Sequence, residues 1–485
     1  STMTTDTLAV ILIVLYLFCL PVIGWLTKAK DQSMKGYYLA GGSIGFVSLF
    51  FTLYATTYSG NTMLGFAGRA YRDGPVSLFA VVGMASVIPV FLLFARKLNA
   101  LAKENGFITI ADYLKARYRN MLTVHTINVL LIITLASYVL TNLKAAGLLV
   151  EVISGGHVPM AWAIIGLAII MAVYESLGGM KAVIWTDMLQ GTMLLGGSLV
   201  VFVIVIFNYG LSDLVSPGVM VEKNSWAQFD AYQITKGISL VLMFGIAIAI
   251  YPHALQRIFA AKDWLTLKQS FKWMCFMPIV TTLPIMLTAM VAFNVMGETQ
   301  VLSGSNSDRV IPVFLNFISS QYPMTKWISA LFMAAALAAI MSTVDSALLS
   351  LGSMFTQDIV RPLSPTIDNQ KLALIGRLMT WILMLIMASL AISLSNTIWS
   401  LIVLKLEIML QLSPSVILGV MYPSLRWQAI LSGVVVGVIT LMVLKFMPLV
   451  ILMDIGVHAG MWALLLNLLT ILLIHLISRN AAKAS

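Results

Sequence analysis

The chain has 485 residues, of which 60% are hydrophobic and 10% are charged, and its formal net charge is +10. Soluble domains carry about 25% charged residues, so the composition excludes a soluble protein and predicts an integral membrane protein with many helical spans. The basic residues lie between the apolar stretches and form no single patch, which argues against nucleic-acid binding. Cys19 and Cys275 lie in apolar stretches and indicate neither a disulfide framework nor a metal motif.

About thirteen apolar stretches are long enough to cross a membrane as helices. They cover residues 7–28, 44–68, 76–97, 121–153, 158–176, 179–208, 234–259, 270–297, 323–357, 370–395, 397–421, 427–448 and 450–478. No basic region precedes the first stretch, so we expect Thr7–Thr27 to be a retained helix and not a cleaved signal peptide.

Lysine and arginine residues are unevenly divided between alternate loops. One set of loops holds most of them, including Lys28, Arg96, Lys268 and Arg361, and the other set holds few. Because the basic loops of membrane proteins face the cytoplasm, this pattern predicts an odd number of spans, an external N-terminus and a cytoplasmic C-terminus.

The second span contains poor helix formers at its middle. Leu53–Gly68 reads LYATTYSGNTMLGFAG, and Ser59, Gly60 and Asn61 fall at mid-span. A helix break at membrane depth survives where it lines a cavity or is buried in protein, although a kink for helix packing would give the same pattern. Gly245 and Pro252 weaken the seventh span similarly, and paired broken helices in the two halves indicate a transporter's binding site.

The ninth span carries hydroxyl groups on one helical face. Ala339, Ser342, Thr343 and Ser346 follow i, i+3, i+4, i+7 spacing, and Asp345 lies at the edge of that face. Oxygen ligands of this kind suit a small hard cation such as Na⁺. The alternative is a small-residue packing face whose hydroxyls bond to their own backbone.

The sixth span carries an acid that could reach this face. Asp187 and Gln190 share one side of the helix, and Asp187 could approach Asp345 and Ser346. A structural acid at the membrane interface would look the same. Two aspartates within spans also permit an intramembrane aspartyl protease, but the motif context of those enzymes is absent, so we expect no enzyme and no catalytic residue.

Five segments in chain order resemble motifs of the solute:sodium symporters, which include carriers for proline, pantothenate, sugars and sialic acid. They are Tyr37–Ser43 (YYLAGGS), Thr109–Tyr118 (TIADYLKARY), Gly178–Gln190 (GGMKAVIWTDMLQ), Gln256–Lys262 (QRIFAAK) and Ala338–Thr343 (AAIMST). The first departs from the family pattern, because it lacks the family's arginine. Together the motifs identify the chain as resembling that family over nearly its whole length.

The resemblance implies an all-α membrane fold with a five-plus-five inverted repeat. The repeats would be residues 44–208 and 234–421, with broken helices in the second and seventh spans. A peripheral helix at 7–28 would precede them, and two peripheral helices within 427–478 would follow.

The resemblance also implies ion sites, with Na⁺ as the coupling ion and no other cofactor. The main Na⁺ site would use the carbonyls of Ala55, Tyr58 and Ala339 and the hydroxyls of Ser342 and Thr343. A second cation site would use three further residues, which are Asp187, Asp345 and Ser346. Relatives usually have serine in place of Asp345, and the extra carboxylate could strengthen a cation site or hold a proton.

The implied solute contacts lie beside the second span. Thr57, Ser59 and Thr62 match solute-contacting positions, Asn61 faces the same gap, and Phe244 matches a contact on the seventh span. Two other positions disfavour a sugar, because Ala247 and Leu406 stand where sugar carriers have a gating tyrosine and a sugar-contacting glutamine. Tyr251-Pro252-His253 is closer to carriers of pantothenate and acetate, so we expect a small carboxylate or an amino acid, which Lys144 or Lys405 could meet.

The expected function is import of a small organic solute by Na⁺-driven symport through alternating access. A solute sensor without net uptake and an H⁺-coupled symporter are the alternatives; a channel is disfavoured because no filter sequence repeats. The expected partners are the solute, Na⁺ and the lipid bilayer, with no nucleic acid. We expect a monomer as the functional unit, in a bacterial inner membrane.

Overall fold

The computed structural model describes residues 7–28, 33–59, 61–210, 226–296, 302, 304–394, 398–447 and 454–484, and within these ranges the regular elements are all helical. The first nine α-helices are α1 (Thr7–Leu26), α2 (Met34–Leu39), α3 (Phe46–Thr57), α4 (Ala67–Asp73), α5 (Leu78–Asn105), α6 (Ile110–Tyr118), α7 (Met121–Ile153), α8 (Met160–Tyr209) and α9 (Ala231–Ala249). The remaining nine are α10 (Pro252–Ala260), α11 (Trp264–Met274), α12 (Leu283–Met296), α13 (Val310–Gln321), α14 (Lys326–Phe355), α15 (Asn369–Ser393), α16 (Ile398–Met421), α17 (Trp427–Phe446) and α18 (Ala459–Ala484).

Short 3₁₀ and π segments connect or extend several helices. The 3₁₀ segments are Ala40–Gly42, Gly74–Ser77, Gly304–Arg309 and Pro323–Thr325. The π segments are Asn61–Phe66, Pro278–Thr282 and Thr356–Val360, the last of which leads from α14 into a helical turn at Arg361–Leu363.

The all-α membrane fold predicted from the sequence is confirmed. Eleven helical segments of the described residues are long and apolar enough to cross a membrane. Two shorter apolar helices, Phe46–Thr57 and Met160–Val173, lie where the second and fifth spans are predicted. The count of thirteen spans stays a prediction.

Helix α14 forms the centre of the molecule. Every residue from Phe332 to Met354 is buried, and α14 packs against α1, α3, α7, α8 and α15. Its many alanines and serines permit this, because small side chains let neighbouring helix backbones approach closely. By contrast, Phe18 in α1 and Leu473 in α18 are exposed, as expected for peripheral helices facing lipid.

The helical path is interrupted at the two weak positions noted in the sequence. Helix α3 ends at Thr57, Tyr58 has φ −93° and ψ 86°, and helical structure resumes at Asn61. Helix α9 ends at Ala249, and α10 begins at Pro252. Proline suits the first position of a helix, because the missing N–H would have no helical acceptor there.

Helix α8 consists of two helical segments, which correspond to the predicted fifth and sixth spans and meet at a sharp kink. The kink is at Gly179, which has φ 57° and ψ −139°. A Cβ atom built on Gly179 would lie 2.6 Å from the carbonyl oxygen of Tyr37, so glycine satisfies both the backbone conformation and the close packing of α2.

Candidate functional site

A buried polar network lies where α3, α8, α10 and α14 meet, and Asp187 of α8 is at its centre. One carboxylate oxygen accepts a 2.6 Å hydrogen bond from Thr52 Oγ1, and the other accepts a 2.6 Å bond from Ser342 Oγ. The side chains of all three residues are fully buried. Asp187 therefore ties the hydroxyl face of α14 to α3.

Arg257 of α10 enters the same network. Its guanidinium donates a 2.7 Å hydrogen bond to Ser346 Oγ and lies 3.8 Å from the Asp187 carboxylate. Ser346 Oγ is also 3.0 Å from Thr56 Oγ1. Asp187 and Ser346, two members of the predicted second cation site, therefore both interact with the buried guanidinium of Arg257.

Asp345, the third member of that predicted site, has different surroundings. It is fully buried, and neither carboxylate oxygen has a hydrogen-bond partner within the described part of the chain. The neighbouring Gln190 donates a hydrogen bond to the Tyr16 hydroxyl of α1 and none to Asp345. Among the described residues no hydrogen bond joins Asp345 to Asp187 or Ser346.

The five residues of the predicted main Na⁺ site are all buried around the end of α3. Ala55 and Tyr58 lie in the last turn and at the C-cap, where helix carbonyls lack helical donors and carry partial negative charge. Across from them, Thr343 Oγ1 donates to the Ala339 carbonyl at 3.2 Å. Each hydroxyl of Ser342 and Thr343 keeps acceptor lone pairs.

The oxygen atoms of the candidate ligands on α3 and α14 indicate which kind of ion they could bind. They belong to carbonyls and hydroxyls, which are ligands for hard cations. Within the described ranges, no cluster of three or more His, Cys, Asp or Glu side chains could hold a metal ion. The arrangement therefore fits an alkali cation better than a transition metal.

A cavity lies beside the end of α3. Its polar lining consists of Thr57, Ser59, Tyr138, Tyr251, Thr282 and Lys405. Its apolar lining consists of Phe66, Ala80, Met84, Phe244, Ile248, Trp399, Ile402 and Leu406. Three predicted solute contacts, Thr57, Ser59 and Phe244, line this cavity, whereas the side chains of Asn61 and Thr62 lie outside the described residues.

The cavity and the hydroxyl face are linked by a residue that sequence reasoning missed. The hydroxyl of Tyr138 in α7 lies within hydrogen-bonding reach of Ser59 and Thr343. Nothing in the sequence around Tyr138 indicates this role, because the contact depends on how α7 packs. Thr52 and Thr56 were also missed, although their i, i+4 spacing ahead of the break places both hydroxyls on one face.

The fold is shared with solved structures of membrane transporters. A Na⁺-coupled sialic acid symporter in a substrate-bound outward-open state superposes with a TM-score of 0.77 at 18% identity, over 96% of this chain and 98% of that one. The inward-facing conformation of Mhp1 superposes with a TM-score of 0.53 at 15% identity, over 91% and 92%. The chain thus has the fold of this class of membrane transporters.

Sequence comparison defines the family within that class. The profile described as "Sodium:solute symporter family" matches residues 37–440, and the chain belongs to this family. The resemblance seen in its motifs is therefore confirmed.

Curated relatives cover most of the chain. The chain is 27% identical to the sodium/glucose cotransporter of Vibrio parahaemolyticus, over 87% of this chain and 81% of that protein. It is 25% identical to the sodium/pantothenate symporter of Haemophilus influenzae, over 78% and 77%. It is 24% identical to the sodium/proline symporter of Salmonella typhimurium, over 89% and 86%.

Proposed function

We propose that this protein imports a small organic solute, a carboxylate or an amino acid, by Na⁺-driven symport through alternating access. One observation carries the proposal. Helix α3 ends between the buried hydroxyl face of α14 and a cavity that Thr57 and Ser59 help to line. One interrupted helix thereby offers carbonyls to an ion and side chains to a solute.

The main Na⁺ would be held by the carbonyls of Ala55, Tyr58 and Ala339 and the hydroxyls of Ser342 and Thr343. Thr57, Ser59, Asn61, Thr62 and Phe244 would contact the solute. Asp187, Asp345 and Ser346 would form the second cation site. Among the described residues the Asp345 carboxylate has no hydrogen-bond partner, which favours a variant of this scheme in which Asp345 carries a proton.

Ion binding and solute binding would be coupled because both involve the end of α3. An ion that orders the backbone at Tyr58 also fixes the neighbouring cavity wall at Thr57 and Ser59, so each ligand raises the affinity for the other. An inward positive charge gains about 2.3 kcal/mol at −100 mV, which adds to the Na⁺ concentration gradient. Loss of Na⁺ to the cytoplasm then weakens solute binding and favours release.

The proposed setting is a bacterial inner membrane, with the N-terminus outside and the C-terminus in the cytoplasm. The repeats would be residues 44–208 and 234–421, flanked by 7–28 and by the two helices within 427–478. The loop charges support this orientation.

Uptake of labelled solutes into proteoliposomes tests the proposal. An inward Na⁺ gradient should drive transient accumulation above equilibrium, and an equal K⁺ gradient or a Na⁺ ionophore should abolish it. Equal uptake with and without the Na⁺ gradient would contradict symport, and accumulation driven by a pH gradient alone would favour the proton-coupled form.

A further inference from the structure

Lys405 of α16 is a buried lysine in the wall of the cavity. Its side chain is only 3% exposed. The ammonium lies 3.6 Å from the ring centroid of Tyr138 and 5.0 Å from that of Tyr251. Within the described residues it has no ion pair and no hydrogen bond to a carboxylate.

The neighbouring acid on α16 does not neutralise Lys405. Glu407 lies two residues further on, so its side chain leaves the helix in a different direction. It pairs with Lys445 Nζ at 2.5 Å and accepts a 2.6 Å hydrogen bond from the Gly460 N–H. Glu407 is therefore already engaged with α17 and α18.

An ammonium buried without an anion is costly, because it loses hydration and gains no opposite charge. The two tyrosine faces offset part of that cost through cation–π attraction. The described cavity lining supplies hydroxyls and apolar groups but no carboxylate. The missing negative charge is thus best supplied by a molecule that enters the cavity.

The other residues of the cavity wall indicate the chemical character of the rest of that molecule. Phe244, Ile248, Trp399 and Ile402 offer apolar surface, and the described lining has no acid to pair with an ammonium group. An anion with a short apolar body satisfies both features. An amino acid would bring a second charge that this lining leaves unpaired, and a sugar would leave Lys405 without an anion.

We propose that Lys405 binds the carboxylate of the solute and that the solute is a small monocarboxylate, preferred over a zwitterion or a sugar. This inference rests on the proposed symport function and narrows its substrate class. Lys405 would act with the faces of Tyr138 and Tyr251, and Tyr138 would relay solute binding to Ser59 and Thr343 at the ion site.

A matched set of probes tests the charge requirement on the wild-type protein. Propionate, propionamide and L-alanine have similar size and differ in charge, and D-glucose serves as the neutral sugar. Thermal stabilisation of the purified protein in Na⁺ should require at least about tenfold less propionate than propionamide or L-alanine. A preference for L-alanine or D-glucose, or stabilisation by chloride and not by propionate, would overturn the inference.

Two variants then test the residue. Lys405→Met should raise the half-saturating propionate concentration at least about tenfold, while stabilisation by Na⁺ alone is retained, which shows that the variant is folded. Lys326→Met removes an exposed lysine away from the cavity and should behave as wild type. An unchanged propionate response in Lys405→Met would overturn the assignment.

The outcomes separate this inference from the function on which it rests. Na⁺-driven uptake of L-alanine or D-glucose that Lys405→Met leaves unchanged would overturn the role of Lys405 and leave symport standing. Absence of Na⁺-dependent uptake for every probe in wild-type proteoliposomes would contradict symport and this inference together.

Discussion

Two buried charges on helix α16 lie two residues apart and meet opposite surroundings. Glu407 is enclosed by partners, since Lys445 pairs with one carboxylate oxygen and the Gly460 amide bonds to the other. Lys405 lines a cavity, and its ammonium lies over the faces of Tyr138 and Tyr251. The paired Glu407 connects α16 to α17 and α18, whereas Lys405, which has no ion pair among the described residues, lines a cavity.

The same contrast separates two acids near the proposed ion site. Asp187 has hydrogen bonds from Thr52 and Ser342 and an ion pair with Arg257. Asp345 is equally buried and has no hydrogen-bond partner in the described residues. Partnered charges should therefore matter most for stability, and unpartnered charges should matter most for ligands.

The largest stability effect is expected from Arg257→Met. Removing one member of a buried pair leaves the other charge uncompensated, which costs about 3–5 kcal/mol. The melting temperature of the purified protein should fall strongly, and Asp187→Asn in the same chain should restore much of the loss because it removes the stranded charge. An unchanged melting temperature in Arg257→Met would mean that the pair does not stabilise the fold.

A smaller loss is expected from Lys445→Met. This substitution removes the ion-pair partner of buried Glu407. Because Lys445 is 38% exposed, solvent already weakens the pair, and the free energy of unfolding should fall by about 1–2 kcal/mol. Thermal melts should show the loss, while the Na⁺ concentration for half-maximal uptake should stay at the wild-type value. A changed Na⁺ dependence together with wild-type stability would contradict this expectation, because it would mean that the Glu407–Lys445 pair acts on ion binding and not on stability.

A third effect, limited to one range of pH, is expected from an acid outside the membrane spans, in the Gly304–Arg309 segment. Burial raises the pKa of Asp308 to about 6 from 3.8, against the lowering effects of its bond from the Ile398 N–H and of nearby Arg72. The folded state therefore holds this proton more tightly than the unfolded state. Its stabilising effect is complete below pH 3.8 and is lost as the pH rises through about 6.

Melting temperatures measured from pH 4 to 7.5 would check the contribution of Asp308. Asp308→Asn cannot titrate, so part of the decline seen in the wild type across this range should disappear. Identical pH profiles for the two proteins would show that Asp308 does not titrate there.

Local periodicity predicted which hydroxyl groups share one face of α14. Ser342 and Ser346 share the face that i, i+4 spacing gives them, and both join the polar network around Asp187. The pairing of Arg257 with Asp187 was not predictable, because it depends on how α8 and α10 meet. The tyrosine pair under Lys405 was missed for the same reason, since Tyr138 and Tyr251 come from different helices.

Fold class followed from composition, because long apolar stretches leave few alternatives to membrane helices. The division between the fifth and sixth spans also agrees with the structure. The sequence separates 158–176 from 179–208, and Gly179 has the non-helical angles φ 57° and ψ −139° at that point. The packing of Tyr37 against Gly179 was not predictable, because it depends on how α2 meets α8.

Direct binding of ²²Na⁺ to the purified protein tests the central claim, that Na⁺ is held between the end of α3 and the hydroxyl face of α14. Ser342→Ala combined with Thr343→Ala should weaken binding at least about tenfold, or about 1.4 kcal/mol. Ser329→Ala removes another buried hydroxyl of α14, which bonds to Ser319, and should leave binding unchanged. Equal ²²Na⁺ affinity in the double variant and the wild type would contradict the site.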